Sequence, residues 1–358
     1  MVNIALFQQA IGIPAFGGNT DWYTLWQVSS QIALGIITMT LIKILPDWFL
    51  PESQATSESV YLNRRRFLKN AGLGSLSVIG LLAGCQTLEE KKAIVKQQIS
   101  NERLKAITAS RNLAFTLDRP ITEEYSAAVY TNFYEFSGDK DVWKYVDKFQ
   151  PHPWTIEVTG LVAKPQKFAI EDLIAKMPIE ERLYRHRCVE AWAMAVPWLG
   201  FPLKRLIELV EPKANATHVK FTTFFRTEQA SRQILHNQPW PYTEGLTIKE
   251  AMNELAFMAV GIYGHELPKQ HGAPIRLVLP WKYGYKSIKS IEKIEFSDRQ
   301  PATFWNTRLP EEYDFAANVN PNIPHPRWSQ ASEKMLGTGD RYATQMYNGY
   351  ASYVSSLY

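Results

Sequence analysis

Residues 184–202 have the sequence YRHRCVEAWAMAVPWLGFP, and Cys188 near its start carries most of the chemical information in the chain. Positions 185–187 are arginine, histidine and arginine, and basic neighbours lower the pKa of a thiol. The thiolate is the form of cysteine that binds metals. Glu190 lies on the same side as Cys188 if the strand predicted at 182–189 continues. A buried, inert cysteine is the alternative, but the basic run and the acidic neighbour favour a metal ligand.

Short strands and short helices surround this stretch without a regular βαβ rhythm. Apolar patterns predict strands at 154–162, 182–189, 218–225, 256–263, 274–279 and 290–296. Helical patterns occupy 168–177, 202–210 and 247–255. The mixture predicts an α+β protein with mixed sheets and short helices rather than a doubly wound parallel sheet. The sequence has neither a G-x-G-x-x-G nor a P-loop motif, so dinucleotide and P-loop sites lack support.

The composition is that of a folded protein. The chain has 358 residues, of which 46% are hydrophobic and 21% charged, which excludes a mostly disordered chain, a coiled coil and a multi-span transporter. Its length predicts about two domains, or one large domain with appendages. The net charge is only +4 and no stripe of Lys and Arg occurs, so we expect no nucleic-acid partner.

The count of cysteines and the spacing of histidines exclude several metal centres. Two cysteines, Cys85 and Cys188, cannot form a disulfide framework, a Cys₄ zinc site or an iron–sulfur cluster. The chain has no C-x-x-C-H motif and none of its seven histidines belongs to H-E-x-x-H. We therefore expect no haem, no iron–sulfur cluster and no zinc.

Residues 1–85 have the pattern of a targeting region. The run 22–42 has no charged residue and is long enough to span a bilayer, for which about 20 apolar residues suffice; the alternative is an upstream extension, with Met39 as the true start. The sequence NRRRFLK at 63–69 resembles the twin-arginine export signal, and an uncharged run follows it. Because this route exports folded proteins, it favours a bound redox cofactor.

The uncharged run ends in Leu-Ala-Gly-Cys, which resembles a bacterial lipobox and makes Cys85 a candidate for lipidation. One lipid chain anchors a protein marginally and two or more anchor it stably. The alternative is an ordinary cleavage nearby that discards Cys85.

Several long motifs resemble one known family. They are the region around Cys188, TNFYEF at 131–136, WKYGYKSIKS at 281–290 and NPNIPHPRWSQ at 320–330. In this order they resemble MsrP, the family of molybdenum-containing catalytic subunits of the periplasmic protein-methionine-sulfoxide reductases. The similarity runs from about residue 46 to the C-terminus; residues 1–45 and the lipobox lie outside the usual pattern.

The resemblance implies a sulfite oxidase-like domain that holds one Mo-molybdopterin. Cys188 would be the ligand to Mo, with Asn132 and Glu190 facing the open side of the metal and Glu190 as a proton carrier. The implied cofactor contacts are Thr131, Asn132, Tyr134, Glu135, Thr223, His271, Arg276, Ser287, Ile288 and Lys289. The family often has Asn where this chain has Thr131 and His271, so the resemblance leaves open which side chains contact the pterin there.

The residue chemistry fits a cofactor phosphate. Arg276 and Lys289 supply charge-assisted donors, and the backbone N–H groups of 287–289 could form an anion nest. Arg276 lies in an apolar strand pattern, where an unpaired cation is costly. Lys282 and Lys286 either reach the same phosphate or are solvated.

The implied domain plan has four parts. Residues 1–62 are an N-terminal extension with a candidate transmembrane segment, and 63–85 are the export signal with its lipobox-like end. A helical or flexible tether occupies 86–114 and the Mo-molybdopterin catalytic domain 115–358.

The implied function is the reduction of methionine sulfoxide residues in exported proteins by oxygen-atom transfer. The implied partners are a membrane haem-b subunit that donates electrons, oxidised periplasmic proteins as substrates, and the twin-arginine export machinery. The location would be the periplasm, with the Cys85 lipid or an N-terminal helix as an anchor. Tyr134, Trp192 and Trp281 either border the pocket or pack in the core.

Two other functions remain open at this point. A sulfite dehydrogenase-like molybdoenzyme would need an anion pocket, which Arg185 and Arg187 could supply. A non-catalytic exported lipoprotein would use Cys188 only for structure.

Overall fold

The computed structural model describes residues 24–28, 39–43 and 86–358. In the N-terminal unit, strands β1 (Thr24–Val28) and β2 (Met39–Lys43) pair antiparallel. The rest of the charge-free run, the twin-arginine-like segment and Cys85 lie outside the described residues. Among the helices that are described, none is both long and apolar enough to cross a membrane.

The second unit is built from many short elements. Its strands are β3 (Ser110–Arg111), β4 (Thr155–Gly160), β5 (Gln166–Ala169), β6 (Glu180–Arg187), β7 (Trp192–Pro202), β8 (His218–Thr223), β9 (Thr243–Thr247), β10 (Phe257–Ile262), β11 (His265–Glu266), β12 (Arg276–Val278), β13 (Ile291–Ser297), β14 (Ser332–Met335) and β15 (Arg341–Ala343). Its α-helices are α1 (Leu88–Glu102), α2 (Glu124–Ala128), α3 (Ile170–Ala175), α4 (Leu203–Val210), α5 (Ile248–Ala251), α6 (Phe304–Arg308) and α7 (Ala351–Val354). Single 3₁₀ turns lie at Val142–Lys144, Ser231–Ile234, Lys269–His271, Gly284–Lys286, Met346–Gly349 and Ser355–Leu357.

The larger sheet is organised around β7. This strand pairs antiparallel with β6 and β10 and parallel with β14, and every one of its residues is buried. β3, β11, β12 and β15 complete the eight-stranded sheet. Because β7 is covered on both faces, its sequence is apolar throughout instead of alternating.

The second sheet has five strands in the order β5-β4-β13-β8-β9. β13 pairs parallel with β4, whereas the other pairs in this sheet are antiparallel. β8, with the sequence HVKFTT, buries alternate residues, as expected for a half-covered strand. Two mixed sheets with short helices confirm the predicted α+β class.

The six predicted strands correspond to β4, β6, β8, β10, β12 and β13, whereas the other seven strands of this unit, β7 among them, are not predicted. The predicted strand at 182–189 corresponds to β6, which ends at Arg187, and β7 itself is not predicted, because it lacks alternation. The helix predicted at 247–255 is only the four residues of α5. α4 lies within the helix predicted at 202–210 and buries Leu203, Leu206, Ile207 and Val210.

The segment expected to be a tether is helical and packs against the folded unit. α1 begins with a capping box in which Thr87 and Glu90 exchange hydrogen bonds. Its buried residues Val95 and Ile99 cluster with Ala128, Val129 and Trp143. The Gln98 amide also donates to the Trp143 carbonyl at 2.9 Å. α1 is therefore part of the body of the catalytic unit.

Candidate active site

A cleft lies where the 131–140 loop, the β6–β7 turn and the 284–289 segment meet. The cavity within it has a volume of about 160 Å³. The sequence predicts twelve site residues within the described part of the chain, and eleven of them line this cleft. They are Thr131, Asn132, Tyr134, Glu135, Cys188, Glu190, His271, Arg276, Ser287, Ile288 and Lys289.

Thr223 is the exception. Its buried hydroxyl donates to the carbonyls of Lys289 and Ser290 at 2.8 and 3.0 Å. The residue therefore lies behind the cleft wall and supports the backbone that carries Lys289. Its predicted contact with the cofactor stays a prediction, since Thr223 is not among the residues that line the cleft.

Cys188 lies in a tight turn rather than in a continuing strand. Its N–H donates to the Trp192 carbonyl at 2.9 Å, and the Ala191 N–H donates back to the Cys188 carbonyl at 3.1 Å. Ala191 has φ +62°, in the left-handed region. The turn directs the Glu190 N–H toward the Cys188 sulfur at 3.4 Å. Glu190 thus lies beside the thiol, as predicted, but the turn places it there.

The predicted lowering of the Cys188 pKa is wrong for the metal-free protein. Burial, and then the Glu190 carboxylate, raise the pKa of this thiol to about 12. The basic run has little effect because its arginines are engaged elsewhere. Arg185 forms a 2.8 Å ion pair with Asp118, and the Nε of Arg187 lies 3.1 Å from Glu333.

A polar network joins Asn132, Glu190 and Lys140 on the open side of the thiol. The Asn132 amide donates to the Cys188 sulfur at 3.4 Å and to Glu190 at 3.0 Å. Lys140 donates to Asn132 Oδ1 at 2.7 Å and to Glu190 at 2.5 Å. Burial raises the pKa of Glu190, but the hydrogen bond and the charge of Lys140 outweigh it, so the pKa lies below its usual value.

Lys140 was not among the residues predicted from the sequence. It stands between Asp139 and Asp141, in a run of charges typical of a solvated loop. No local pattern distinguishes it, because its partner Glu190 is supplied by a distant turn.

The inner end of the cleft holds two cations, the buried Arg276 and the half-buried Lys289, which we call the open cations. Arg276 donates only to carbonyls, those of His271 at 3.1 Å, Ser287 at 3.2 Å and Leu277 at 3.4 Å. Burial lowers its pKa to about 9. Burial, and then the charge of Arg276, lower the pKa of Lys289 to about 7. In the described part of the chain, neither of them forms an ion pair with a carboxylate.

His271 lies beside the open cations. Burial and the charges of Arg276 and Lys289 lower the pKa of His271 to about 3, and its buried Nε2 has no hydrogen-bond partner in the described residues. Buried polar atoms normally have a partner. The charge of Glu135 raises the pKa of Lys289 but is outweighed by burial and by Arg276. Two cations without an ion-pair partner in the described residues and an unpartnered ring nitrogen together fit a bound anion such as a phosphate.

Two glycines allow close packing around the cleft. A Cβ on Gly272, which has φ +93°, would lie 2.6 Å from the Lys289 Cβ. A Cβ on Gly284 would lie 2.6 Å from the Nε2 of His186, a cleft residue that the sequence did not identify as a site residue. Larger side chains at either position would push these groups into the space of the cleft.

Lys282 and Lys286 fit neither of the two predicted alternatives. Both are buried, and both carry a carboxylate partner, at 2.5 Å for Lys282 and 3.0 Å for Lys286. Neither lines the cleft. We call them the paired lysines.

Arg185 and Arg187 do not line the cleft either, so the anion pocket expected for a sulfite dehydrogenase is not formed by them. Among the predicted aromatic residues, Trp281 is buried outside the cleft, whereas Tyr134 and Trp192 line it.

Comparison with known proteins places this site in a family. The family described as "Oxidoreductase molybdopterin binding domain" matches residues 143–305. The protein-methionine-sulfoxide reductase catalytic subunit MsrP of Burkholderia mallei is 43% identical over 328 residues, which are 90% of this chain and 97% of that protein. The chain belongs to the MsrP family.

Membership in the MsrP family gives the fold and the cofactor class. The α+β unit is the molybdopterin-binding fold of an oxidoreductase, and the matched region contains Cys188, His271 and both open cations. The 131–135 loop lies before the matched region but forms the facing wall of the cleft. Among solved structures, the chain is similar to the sulfane dehydrogenase SoxCD of Paracoccus pantotrophus, with a TM-score of 0.40, 15% identity, and coverage of 64% of this chain and 57% of that one.

Proposed function

We propose that the protein reduces methionine sulfoxide residues of exported proteins to methionine, using Mo-molybdopterin held in the cleft. The observation that carries the proposal is the pairing of one buried thiol, Cys188, with the two open cations in a single cleft. The thiol suits a molybdenum ion and the cations suit the phosphate of a pterin. The name of the Burkholderia relative supplies the reaction.

The residues of this chain divide the binding of the cofactor between them. Cys188 would hold the metal, and Arg276 and Lys289 would hold the phosphate, with the Nε2 of His271 as a further polar contact. Thr223 keeps the Lys289 backbone in place from behind. When bound, Mo-molybdopterin supplies a centre that accepts an oxygen atom from a sulfoxide and is regenerated by electrons.

Glu190 and Lys140 would deliver protons to the reacting site. The overall reaction consumes two electrons and two protons and releases methionine and water. Glu190 lies 3.6 Å from the Cys188 sulfur, and Lys140, half-buried, links it to the mouth of the cleft. Asn132 donates to both the sulfur and the carboxylate and so keeps Glu190 in this orientation.

The electrons would come from a partner protein. The sequence of this chain has no motif for a second redox centre, and the Burkholderia relative is named as a catalytic subunit. We propose a membrane haem-b subunit as donor, export by the twin-arginine route through the motif at 63–69, and a periplasmic location. Replacing Arg64, Arg65 and Arg66 together by Lys tests the route, since normal export of that variant would contradict it.

Metal content and substrate tests decide the proposal. The purified protein, made in a host that synthesises molybdopterin, should contain about one Mo per chain and reduce protein-bound methionine sulfoxide with a viologen donor. Cys188→Ser should lose nearly all activity, whereas the matched control Cys85→Ser should keep it. Oxidation of sulfite without reduction of sulfoxide would instead identify a sulfite dehydrogenase. Absence of molybdenum would favour the non-catalytic lipoprotein.

A further inference from the structure

The guanidinium groups of two arginines lie over the ring of Tyr134, which lines the cleft. The guanidinium of Arg232 lies 4.3 Å from the Tyr134 ring centroid, and that of Arg308 lies 5.3 Å from the same centroid. Arg308 also lies 5.1 Å from the Trp305 ring centroid. Tyr134 and Trp305 are half-buried and line the cleft. We call these four residues the cationic rim.

The two arginines of the cationic rim differ from other half-exposed arginines in having no acidic partner. Arg226 forms an ion pair with Glu292, and Arg185 pairs with Asp118 at 2.8 Å. Within 86–358, neither Arg232 nor Arg308 pairs with a carboxylate, and the buried Nε of Arg232 has no hydrogen-bond partner there. Two like charges at one ring repel each other, so a carboxylate from another molecule would be attracted to this position.

The cationic rim is held in a fixed position relative to the cofactor-binding loop. The Arg232 N–H donates to the Glu135 carbonyl at 3.1 Å, and Arg308 is the last residue of α6. Ile234 and Leu235 follow Arg232 and are 54% and 40% exposed. The mouth therefore offers preorganised cations beside apolar surface, which suits an extended polypeptide segment better than a small polar solute.

We propose that the cationic rim binds acidic side chains that flank the methionine sulfoxide of a substrate polypeptide. This inference rests on the proposed function and specifies its substrate class. A carboxylate close in sequence to the oxidised methionine would pair with Arg232 or Arg308, while neighbouring apolar groups contact Tyr134 and Trp305. The sulfoxide itself would then enter the cleft toward Cys188.

Two peptides of equal length test the inference with the molybdenum-loaded enzyme. Each contains one methionine sulfoxide, flanked by Glu in the first and by Gln in the second; free methionine sulfoxide is the third substrate. With a viologen donor at low salt, the KM for the Glu peptide should be about tenfold lower, the size expected for two half-exposed ion pairs. The difference should shrink at high salt because exposed charges are screened.

The double variant Arg232→Gln, Arg308→Gln should abolish the preference for the Glu peptide and leave kcat and the KM for free methionine sulfoxide unchanged. Arg299→Gln is the matched control, since its side chain is 92% exposed and, unlike Arg232 and Arg308, it lies over neither Tyr134 nor Trp305; it should keep the preference. Equal KM values for both peptides in the wild type, or an unchanged preference in the double variant, would overturn the inference.

A direct binding measurement separates this inference from the proposed function. Fluorescence anisotropy of the two labelled peptides on the same holoenzyme reports docking without turnover. In one outcome no sulfoxide is reduced, but the Glu peptide binds more tightly and the double variant loses that difference. The proposed reaction is then wrong, whereas the binding of acidic side chains by the cationic rim is supported. If turnover is normal but both peptides bind equally, the proposed reaction is supported and the binding of acidic side chains by the cationic rim is contradicted.

Discussion

The open cations and the paired lysines lie in the same short region of the chain, yet their surroundings are opposite. Lys282 and Lys286 each have a carboxylate within 3.0 Å. Arg276 and Lys289, in the neighbouring segments, have only carbonyl acceptors or none, and no ion-pair partner in the described residues. Burial of an uncompensated charge is costly. Two neighbouring cations without a carboxylate partner therefore favour the binding of an anionic ligand between them.

The comparison teaches that burial alone does not distinguish a structural cation from a binding one. Both kinds lie in the same short region of sequence, 276–289, and all four side chains are almost fully buried or lie in the cleft wall. What separates them is the carboxylate partner, which comes from distant strands and turns. Four substitutions test whether the carboxylate partner separates structural cations from ligand-binding ones.

Removing the partner of a paired lysine should have the largest effect. Glu250→Gln leaves Lys282 buried without a carboxylate, and such a change typically costs about 3–5 kcal/mol of stability. The free energy of unfolding, measured with urea, should fall by this amount with or without bound cofactor. Glu208→Gln, which removes an exposed pair with Arg205, should change it by less than about 0.5 kcal/mol. Equal stability of the two variants would contradict the structural role of the pair.

Removing an open cation should affect cofactor binding instead of stability. Arg276→Gln removes charge-assisted hydrogen bonds, each worth about 1.5–3 kcal/mol, so molybdenum content after dialysis should fall roughly tenfold or more. The cofactor-free protein should be as stable as the wild type or more stable, because an unpaired buried charge is gone. Elemental analysis and urea unfolding measure the two effects separately. A variant that loses stability but retains molybdenum would show that Arg276 is structural.

Acidification should destabilise the cofactor-free protein through His271. In the unfolded chain a histidine has a pKa of about 6.5, whereas burial and the open cations lower the folded pKa to about 3. Between these values the unfolded state binds more protons, so stability falls as the pH falls, by about 2 kcal/mol at pH 5. His271→Asn should remove this part of the slope, and His152→Asn, at an exposed position, should not. Unfolding at pH 7.5 and pH 5 checks the difference.

Lys140 represents an intermediate case and should give the smallest effect. It is paired with Glu190, but about a quarter of its side chain is exposed, and half-exposed pairs contribute about 0.2–1 kcal/mol. Lys140→Gln should therefore lower kcat for free methionine sulfoxide up to about fivefold with little change in KM, and Lys140→Arg should restore most of it. Lys144→Gln, which breaks a nearby pair with Asp141, is the control. A loss of stability matching that of Glu250→Gln would place Lys140 among the structural cations.

Much of the site could be predicted because its residue types conflict with their local surroundings. Arg276 in an apolar strand and a cysteine beside charged residues both point to a ligand. The family motifs bring Asn132 and His271 to the same site, although nothing in their local sequence indicates that they meet. The α+β class follows from the mixture of periodicities, and six of the thirteen strands of the second unit follow from their apolar patterns.

The rest depends on contacts between distant parts of the chain. Lys286 is structural because Glu244 on β9 reaches it, and no local pattern announces that pair. The pKa of Cys188 has the opposite direction to the one predicted because the folded chain buries the thiol and places the Glu190 carboxylate beside it, and these two effects outweigh the charge of Arg187. β7 is missed because burial on both faces removes the alternation that identifies a strand.

If Cys85 carries a lipid, as proposed from the lipobox-like sequence, the docking of α1 sets how far the enzyme can lie from a membrane. Only Gln86 and Thr87 lie between Cys85 and the first residue of α1. Two extended residues reach about 7 Å, and α1 is fixed to the body by the Lys92–Glu123 ion pair and the Val95 cluster. A lipid on Cys85 would therefore be joined to the folded unit by a linker of only two residues. The enzyme would then lie close to the bilayer with one preferred face toward it. The short linker would thereby determine which face of the enzyme a membrane-embedded electron donor contacts.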